Sequence, residues 1–374
     1  MHEFFLLGAV QALFLSVVFW FNKKVNVADR FLNVWLLFIG INLFSVYGGV
    51  QGWYRVYPQF FSLTTSLLLL EGPFLYLYVL LATNTIAKLK VYHIAHAIPF
   101  LFFTGYFVFR IHTPTVPDLY QHIRSIMTDP SNAMVLTFGL FNHFHLIVYL
   151  IASIFVFRKH AKQLAESYSY TEGINLAWLR SIILAITGIS VIILLGLIAS
   201  DVLFFISHDV KASLIYTTIA ILPYYLSFFA IRQKIIYPFP AAEEGDAKYE
   251  ASGLSKTDSK ALADALTQLM QTQKIYLNPK LTLKDIADAL HLHPKRLSQV
   301  INENFNQNFF NYINAYRVAE FKERIGDKKN DHFTLLSIGL DCGFSTKSSF
   351  NSTFKKLCGV TPSEYKAGLT TGNS

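Results

Sequence analysis

The sequence predicts an all-α chain in two parts: a seven-helix transmembrane bundle, then a water-soluble helical domain. Three observations point there. Of 374 residues, 53% are apolar and only 15% charged, against about 25% charged in an ordinary soluble protein. The charges are uneven, with 15 Lys/Arg and 9 Asp/Glu in residues 1–237 but 17 and 15 in the much shorter stretch 238–374. Finally, apolar runs of membrane-helix length recur along the front, whereas the rear shows short amphipathic helices punctuated by turn signals. A single soluble globule, a secreted disulfide scaffold and a disordered chain are excluded. The net charge of +8 sits mostly in the front part, so it is not by itself evidence for a nucleic-acid partner.

Seven apolar stretches fall at about 4–21, 31–50, 60–81, 93–109, 135–157, 181–206 and 212–231. Each is near the ~20 residues that a helix needs to cross hydrocarbon. The first is not a cleavable signal, because Lys23 and Lys24 follow the apolar run instead of preceding it. Orientation follows from the Lys/Arg bias of short loops. One set of connections holds eleven basic residues, including Lys23, Lys24, Arg158, Lys159 and Arg180; the alternate set holds four, Arg55, Arg110, Arg124 and Lys211. The richer side is expected to be cytoplasmic, which puts the N-terminus outside and the rear domain inside.

Ionisable groups at membrane depth are costly and mark sites. Glu71 lies mid-span in LLLLEGPFLYLY, where Gly72-Pro73 should kink the helix. It reads either as a ligand or proton contact or as polar glue between helices. His143 and His145 enter the fifth span and Asp201 lies near the end of the sixth; with Glu71 they form a candidate signal pocket in the outer half. His93 and His96 are expected at the cytoplasmic interface. There is no HExxH motif, no metal-ligand spacing, no nucleophile–base pair and no lysine within the seventh stretch for a Schiff base. The expectation is a non-enzyme without metal or cofactor. Cys342 and Cys358 have no CxxC spacing and read as reduced, buried thiols.

After Arg232 the chain runs through two prolines into small and charged residues, and 238–258 reads as a cytoplasmic linker. A helix over 259–274 carries Leu262, Leu266, Leu269 and Gln273 as a short heptad-like stripe, suited to its own domain or to a second copy. Then LTLKDIADALHLHPKRLSQVINENF reads as helix, tight turn, helix. Thr282 and Asp285 form a capping box and Pro294 opens the second helix. That helix buries Leu297, Val300 and Ile301; at 100° per residue its opposite face carries Lys295, Gln299 and Asn302, with Ser298 flanking. Polar and basic side chains on a helix braced by a small partner suit base edges in a major groove. The pattern returns about 50 residues later in LLSIGLDCGFSTKSSFNSTFKKLCG. Here a helix with Leu336 and Leu340 turns at Gly343 into one that buries Phe350, Phe354 and Leu357. Its outward face offers Ser348, Ser352 and Lys355, flanked by Lys347, Asn351 and Lys356. Between the units, FFNYINAYRVAEFKERIG should be one helix, a spacer of about 27 Å at 1.5 Å per residue.

LTLKDIADAL, LSQVIN, NYINAYRVAE and IGLDCGFSTKSSFNSTFKKLCGVTPSEYK together resemble the DNA-binding domain of AraC/XylS transcription factors, over residues 259–367. The resemblance implies base-facing roles for Lys295, Ser298 and Gln299 in the first unit and for Lys347, Ser348, Asn351 and Ser352 in the second. It implies phosphate contacts at Lys355 and Lys356. His293 stands at a cap often filled by serine, and Gly339 where a small alanine is frequent. EGPFLYLY and HAIPFLF are similar to segments of the membrane-embedded branch of that family. The implied protein is a bacterial inner-membrane, one-component regulator that binds double-stranded promoter DNA, with RNA polymerase as a further partner. In this reading residues 1–237 sense an extracellular or membrane-borne small molecule, residues 368–374 are a disordered tail, and the working form is a homodimer. The rival reading is a transporter or receptor whose tail is a protein-interaction module. A transporter should carry a second broken helix matching Gly72-Pro73, and none is evident.

Overall fold

The computed structural model describes residues 2–21, 26–57, 59–112, 121, 133–170, 174, 176–199, 205–207, 210, 214, 217–226 and 256–371. Residues 238–255 of the expected linker, Asp201 and residues 372–374 lie outside them, whereas 256–258 of that linker and 368–371 of the expected disordered tail are helical. Among the described residues the structure is helical, with no strand and one antiparallel bridge pair, Tyr168 with Thr282. The chain divides into two compact units: residues 1–158 with 176–234, and residues 159–175 with 235–374.

In the first unit, α1 (His2–Phe21), α2 (Val27–Val50), α3 (Gln59–Ser66), α4 (Glu71–Ala82), α5 (Ile98–His112), α6 (Ala133–Ser167, which runs on into the second unit), α7 (Ala177–Leu197) and the short α8 (Thr217–Leu226) follow in order. Six helical stretches are long and apolar enough to cross a membrane. Of the seventh expected stretch, the ten-residue apolar helix α8 is described. The core is apolar: Trp35, Leu36, Ile39 and Leu43 from α2 meet Leu75, Tyr78 and Val79 from α4 and Leu179 and Ile182 from α7. The outside is apolar too. Phe14, Phe102, Phe155 and Leu184 are each more than half exposed, a surface compatible with lipid and unfavourable in water. The kink expected at Gly72-Pro73 takes the form of a tight 3₁₀ turn over Leu67–Leu70 between α3 and α4. The Pro73 ring would clash with the carbonyl four residues back, at Leu69, in a continuous α-helix.

In the second unit, α9 (Lys256–Gln273) is followed by α10 (Leu283–Ala289), α11 (Pro294–Phe305), α12 (Phe309–Gly326), α13 (Leu335–Asp341), α14 (Lys347–Cys358) and α15 (Pro362–Thr371). α12 is a spine with two cores. Its first half contributes Phe309, Tyr312 and Ile313 to a cluster with Leu266, Tyr276, Ile286, Leu297 and Ile301. Its second half sets Val318, Phe321 and Ile325 against Ile338, Phe344, Phe350 and Phe354. The α9 stripe therefore packs on its own domain, with Leu266 and Leu269 buried there. Ser259 ties the start of α9 to the end of α11, since Asn304 Nδ2 donates to Ser259 Oγ at 2.8 Å and that hydroxyl donates to Glu303 at 3.2 Å.

Two apolar assignments differ from expectation. Leu357 and Leu340 are 40% and 41% exposed. Ile338 and Gly339 are the buried residues of α13 instead, with Gly339 lying against the Phe350 ring so closely that a Cβ would stand 2.9 Å from Cγ. With only a hydrogen at that contact, the ring packs directly on the α13 backbone.

Candidate nucleic-acid interface

Each helix pair of the second unit is built by local capping. Thr282 Oγ1 accepts from the Asp285 N–H at 3.2 Å, and the Asp285 carboxylate accepts from the Thr282 N–H at 2.8 Å, so the expected capping box is present. His291, at φ 53°, makes the left-handed turn. His293 caps α11 with its ring, Nδ1 accepting from the Lys295 N–H at 3.3 Å, and Pro294 opens the helix. Leu297, Val300 and Ile301 are fully buried, which turns the other side of α11 outward. There Lys295, Gln299 and Asn302 are exposed and Ser298 is half-buried. Gln299 Nε2 donates to Glu303 at 2.7 Å, which holds the amide along the helix. Arg296 is also exposed. The helical wheel puts it on the flank opposite Ser298, a second cation that spacing alone assigns to no face.

The second pair repeats the construction. Thr334 caps α13, accepting from Ser337, and Thr346 caps α14, accepting from Ser349 at 3.1 Å. Gly359 ends α14 in the left-handed region. Phe350 and Phe354 are buried, while Lys347, Ser348, Asn351, Ser352, Lys355 and Lys356 are exposed. Lys356 reaches back to the spine, donating to Asn311 Oδ1 at 3.3 Å. Two short helices thus hold polar and basic side chains outward from a common 18-residue support, the layout that base-edge and phosphate contacts require.

Buried polar groups on α12 set how the two helix pairs join. Glu320 is 6% exposed and accepts from Lys274 Nζ at 2.8 Å, Tyr276 OH at 2.9 Å and Arg324 Nε at 2.9 Å. Burial alone would raise its pKa, but these three donors hold it below the ordinary glutamate value. Tyr276 is pushed above its usual value by burial and by the same carboxylate. Burial pushes the Cys342 thiol up to about 12, so it is a packing group and not a nucleophile.

The expected signal residues are distributed as follows. Glu71 accepts from Trp35 Nε1 at 2.8 Å. His143 is buried; His145 is half-buried, with its ring beside Tyr149 at a centroid distance of 4.9 Å. Tyr149 OH meets His96 Nδ1 at 2.7 Å, and Tyr76 packs on both. No hydrogen bond among the described residues joins Glu71 to either histidine. The structure links His145 to Tyr149, His96 and Tyr76, a grouping without sequence periodicity to signal it.

Residues 286–368 match the family model for a helix-turn-helix domain, a range that takes in both outward-facing helices. The C-terminal domain is a helix-turn-helix domain of the AraC type. It is similar to an uncharacterized HTH-type transcriptional regulator, YobQ, of Bacillus subtilis (strain 168), at 32% identity over 94 residues, 25% of this chain and 38% of that protein. The chain thus spans well under half of that relative's length. No solved structure matches it significantly. α11 and α14 are the polar, outward-facing helices of the AraC-type domain.

Proposed function

We propose that the protein is a membrane-bound, one-component transcriptional regulator that reads promoter DNA with α11 and α14 under control of a signal received by its apolar bundle. The observation that carries this is the pairing of two capped, outward-facing polar helices on one spine with six helices apolar enough to span a membrane, in a single chain. Lys295, Ser298, Gln299 and Asn302, then Lys347, Ser348, Asn351 and Ser352, contact base edges; Lys355 and Lys356 contact phosphates. The spine, about 27 Å long by helical rise, suits two successive major grooves about 34 Å apart. The excess of basic residues on one set of loops favours an inner-membrane protein with the DNA-binding end in the cytoplasm. Two copies on paired sites would supply the specificity that one domain lacks. Glu71, His143, His145 and Asp201 are the residues through which the bundle would respond, with Tyr149 and His96 beside His145.

The test uses the full chain in lipid nanodiscs and a DNA fragment that it selects from a random pool. Replacing Lys347 and Ser348 by Ala removes two base contacts and should weaken binding to that fragment by about 5–150-fold, while binding to bulk DNA changes little. Unchanged selective binding refutes the assignment of α14. Failure to select any fragment favours a protein-interaction role for the tail.

A further inference from the structure

Residues 159–175, the end of α6 and the stretch that follows it, group with the AraC-type domain. Within them Tyr168, Ser169 and Tyr170 follow the end of α6. Ser169 is 1% exposed and enters the domain as an edge. Its N–H and its hydroxyl both donate to Leu281 O, at 3.2 Å and 2.7 Å, and Tyr168 pairs with Thr282, the cap of α10.

What Ser169 meets on the other side is the centre of the domain. Arg317, on α12, is 1% exposed. A guanidinium has five N–H donors, and here all five find oxygen. Nε donates to Tyr276 O at 2.7 Å and Nη2 to Asn278 O at 2.7 Å; Nη1 donates to Asn314 Oδ1 at 3.3 Å. The two that remain go to Ser169, Nη1 to its carbonyl at 3.0 Å and Nη2 to its hydroxyl at 3.0 Å. Asn314 Nδ2 also donates to Ser169 O, at 3.2 Å. Tyr276 and Asn278 belong to the lead-in of the first helix pair. The turn of the second pair, Gly343, stands against the same atoms: a Cβ on it would lie 2.9 Å from Arg317 Nε and 2.5 Å from Tyr276 O. Arg317 therefore sits where first pair, spine and second pair meet, and two of its five donors go to a residue from outside the domain's own sequence.

We infer that Tyr168–Tyr170 is a regulatory latch: seated, it completes the Arg317 junction and holds α11 and α14 in the arrangement that reads two grooves; withdrawn, it releases that arrangement and lowers specific DNA affinity. This rests on the promoter-reading function above. The latch is covalently continuous with α6, so whatever changes the apolar helices has a direct chain route to it, distinct from the linker 238–258. Ser169 and Arg317 are positioning residues, since neither faces outward to DNA. A signal acts through this latch only if it favours the seated or the withdrawn state.

The experiment compares full chains in nanodiscs on the fragment selected by the wild type. Ser169→Pro removes the N–H and the hydroxyl; Ser169→Ala removes the hydroxyl alone. The expected result for Ser169→Pro is a loss of specific affinity of about 10–100-fold, with bulk-DNA affinity unchanged and the nuclease footprint shortened from two groove segments to one. Ser169→Ala should move the same readouts in the same direction by a smaller factor. Wild-type affinity and footprint in Ser169→Pro overturn the proposal. Should Ser169→Pro lose exchange protection throughout α10–α14, Ser169→Ala decides, and an unchanged footprint and affinity there overturn it. If the wild type itself selects no fragment, the promoter reading fails, and with it the ground on which the latch rests.

Discussion

Gly343→Ala tests the junction from the opposite side. Gly343 has φ +95°, and a Cβ there would lie 2.5 Å from Tyr276 O, 2.9 Å from Leu277 O and 2.9 Å from Arg317 Nε. Real side chains do not approach backbone oxygen that closely, and neither carbonyl is the free end of a flexible group. The left-handed conformation costs a non-glycine residue about 1–2 kcal/mol. Displacing Tyr276 O from Arg317 Nε, now 2.7 Å away, loses a hydrogen bond to a charged group, about 1.5–3 kcal/mol. The sum is about 2.5–5 kcal/mol. That corresponds to roughly 10²–10⁴-fold at 1.4 kcal/mol per decade. Amide exchange in α12 and α14 of the full chain, measured where opening is limiting by equilibrium, should accelerate by that factor while exchange in α2 and α4 stays as it was. Wild-type protection in Gly343→Ala would refute the claim that the second turn is wedged against the Arg317 junction.

Two further outcomes follow from the same geometry. Glu320 titrates below its ordinary value when folded, so its contribution to stability is complete above the unfolded value, about 4.3, and is lost as pH falls through the folded one. Urea resistance of α12, read by pulsed exchange at stepped pH, should drop steeply on acidification below that range. Glu320→Gln should be weaker at neutral pH and flatter in acid; an equally steep acid limb would remove Glu320 from the account. Lys355 and Lys356 are assigned to phosphates, each neutralised phosphate contributing a slope of about −0.9 to log affinity against log salt. Replacing both by Ala should flatten that dependence by about two units without altering the sequence selected. A changed sequence preference would reassign them to bases.

Much of the AraC-type domain is legible because its signals are short-range. Thr282 with Asp285 acts through bonds to residues three positions apart and Pro294 through its fixed φ, so residue type and spacing suffice to place these helix starts. The inward stripe Leu297, Val300, Ile301 is equally local, and the outward set Lys295, Gln299, Asn302 follows from it. Legibility fails where two elements compete for one space. Leu357 satisfies the helical pattern of α14 and still stands 40% exposed, while Phe350 and Phe354 of the same helix fill the core. Of the expected signal set, Glu71 is bonded to Trp35 and His145 stands beside Tyr149; apolar helices present the same composition on every side, and periodicity does not choose their neighbours.

Residue order alone therefore determined the class of fold, the apolar front, the two capped helix pairs and the faces they turn outward, since helix propensity, capping and amphipathic spacing are properties of a few adjacent residues. Tertiary structure decided the rest: that Arg317 is buried, and that a serine 148 residues away supplies two of its acceptors. Backbone carbonyls receive most of those bonds, and every residue has one. Nothing in residue type marks which carbonyl a distant guanidinium will find, so only the folded chain can show it.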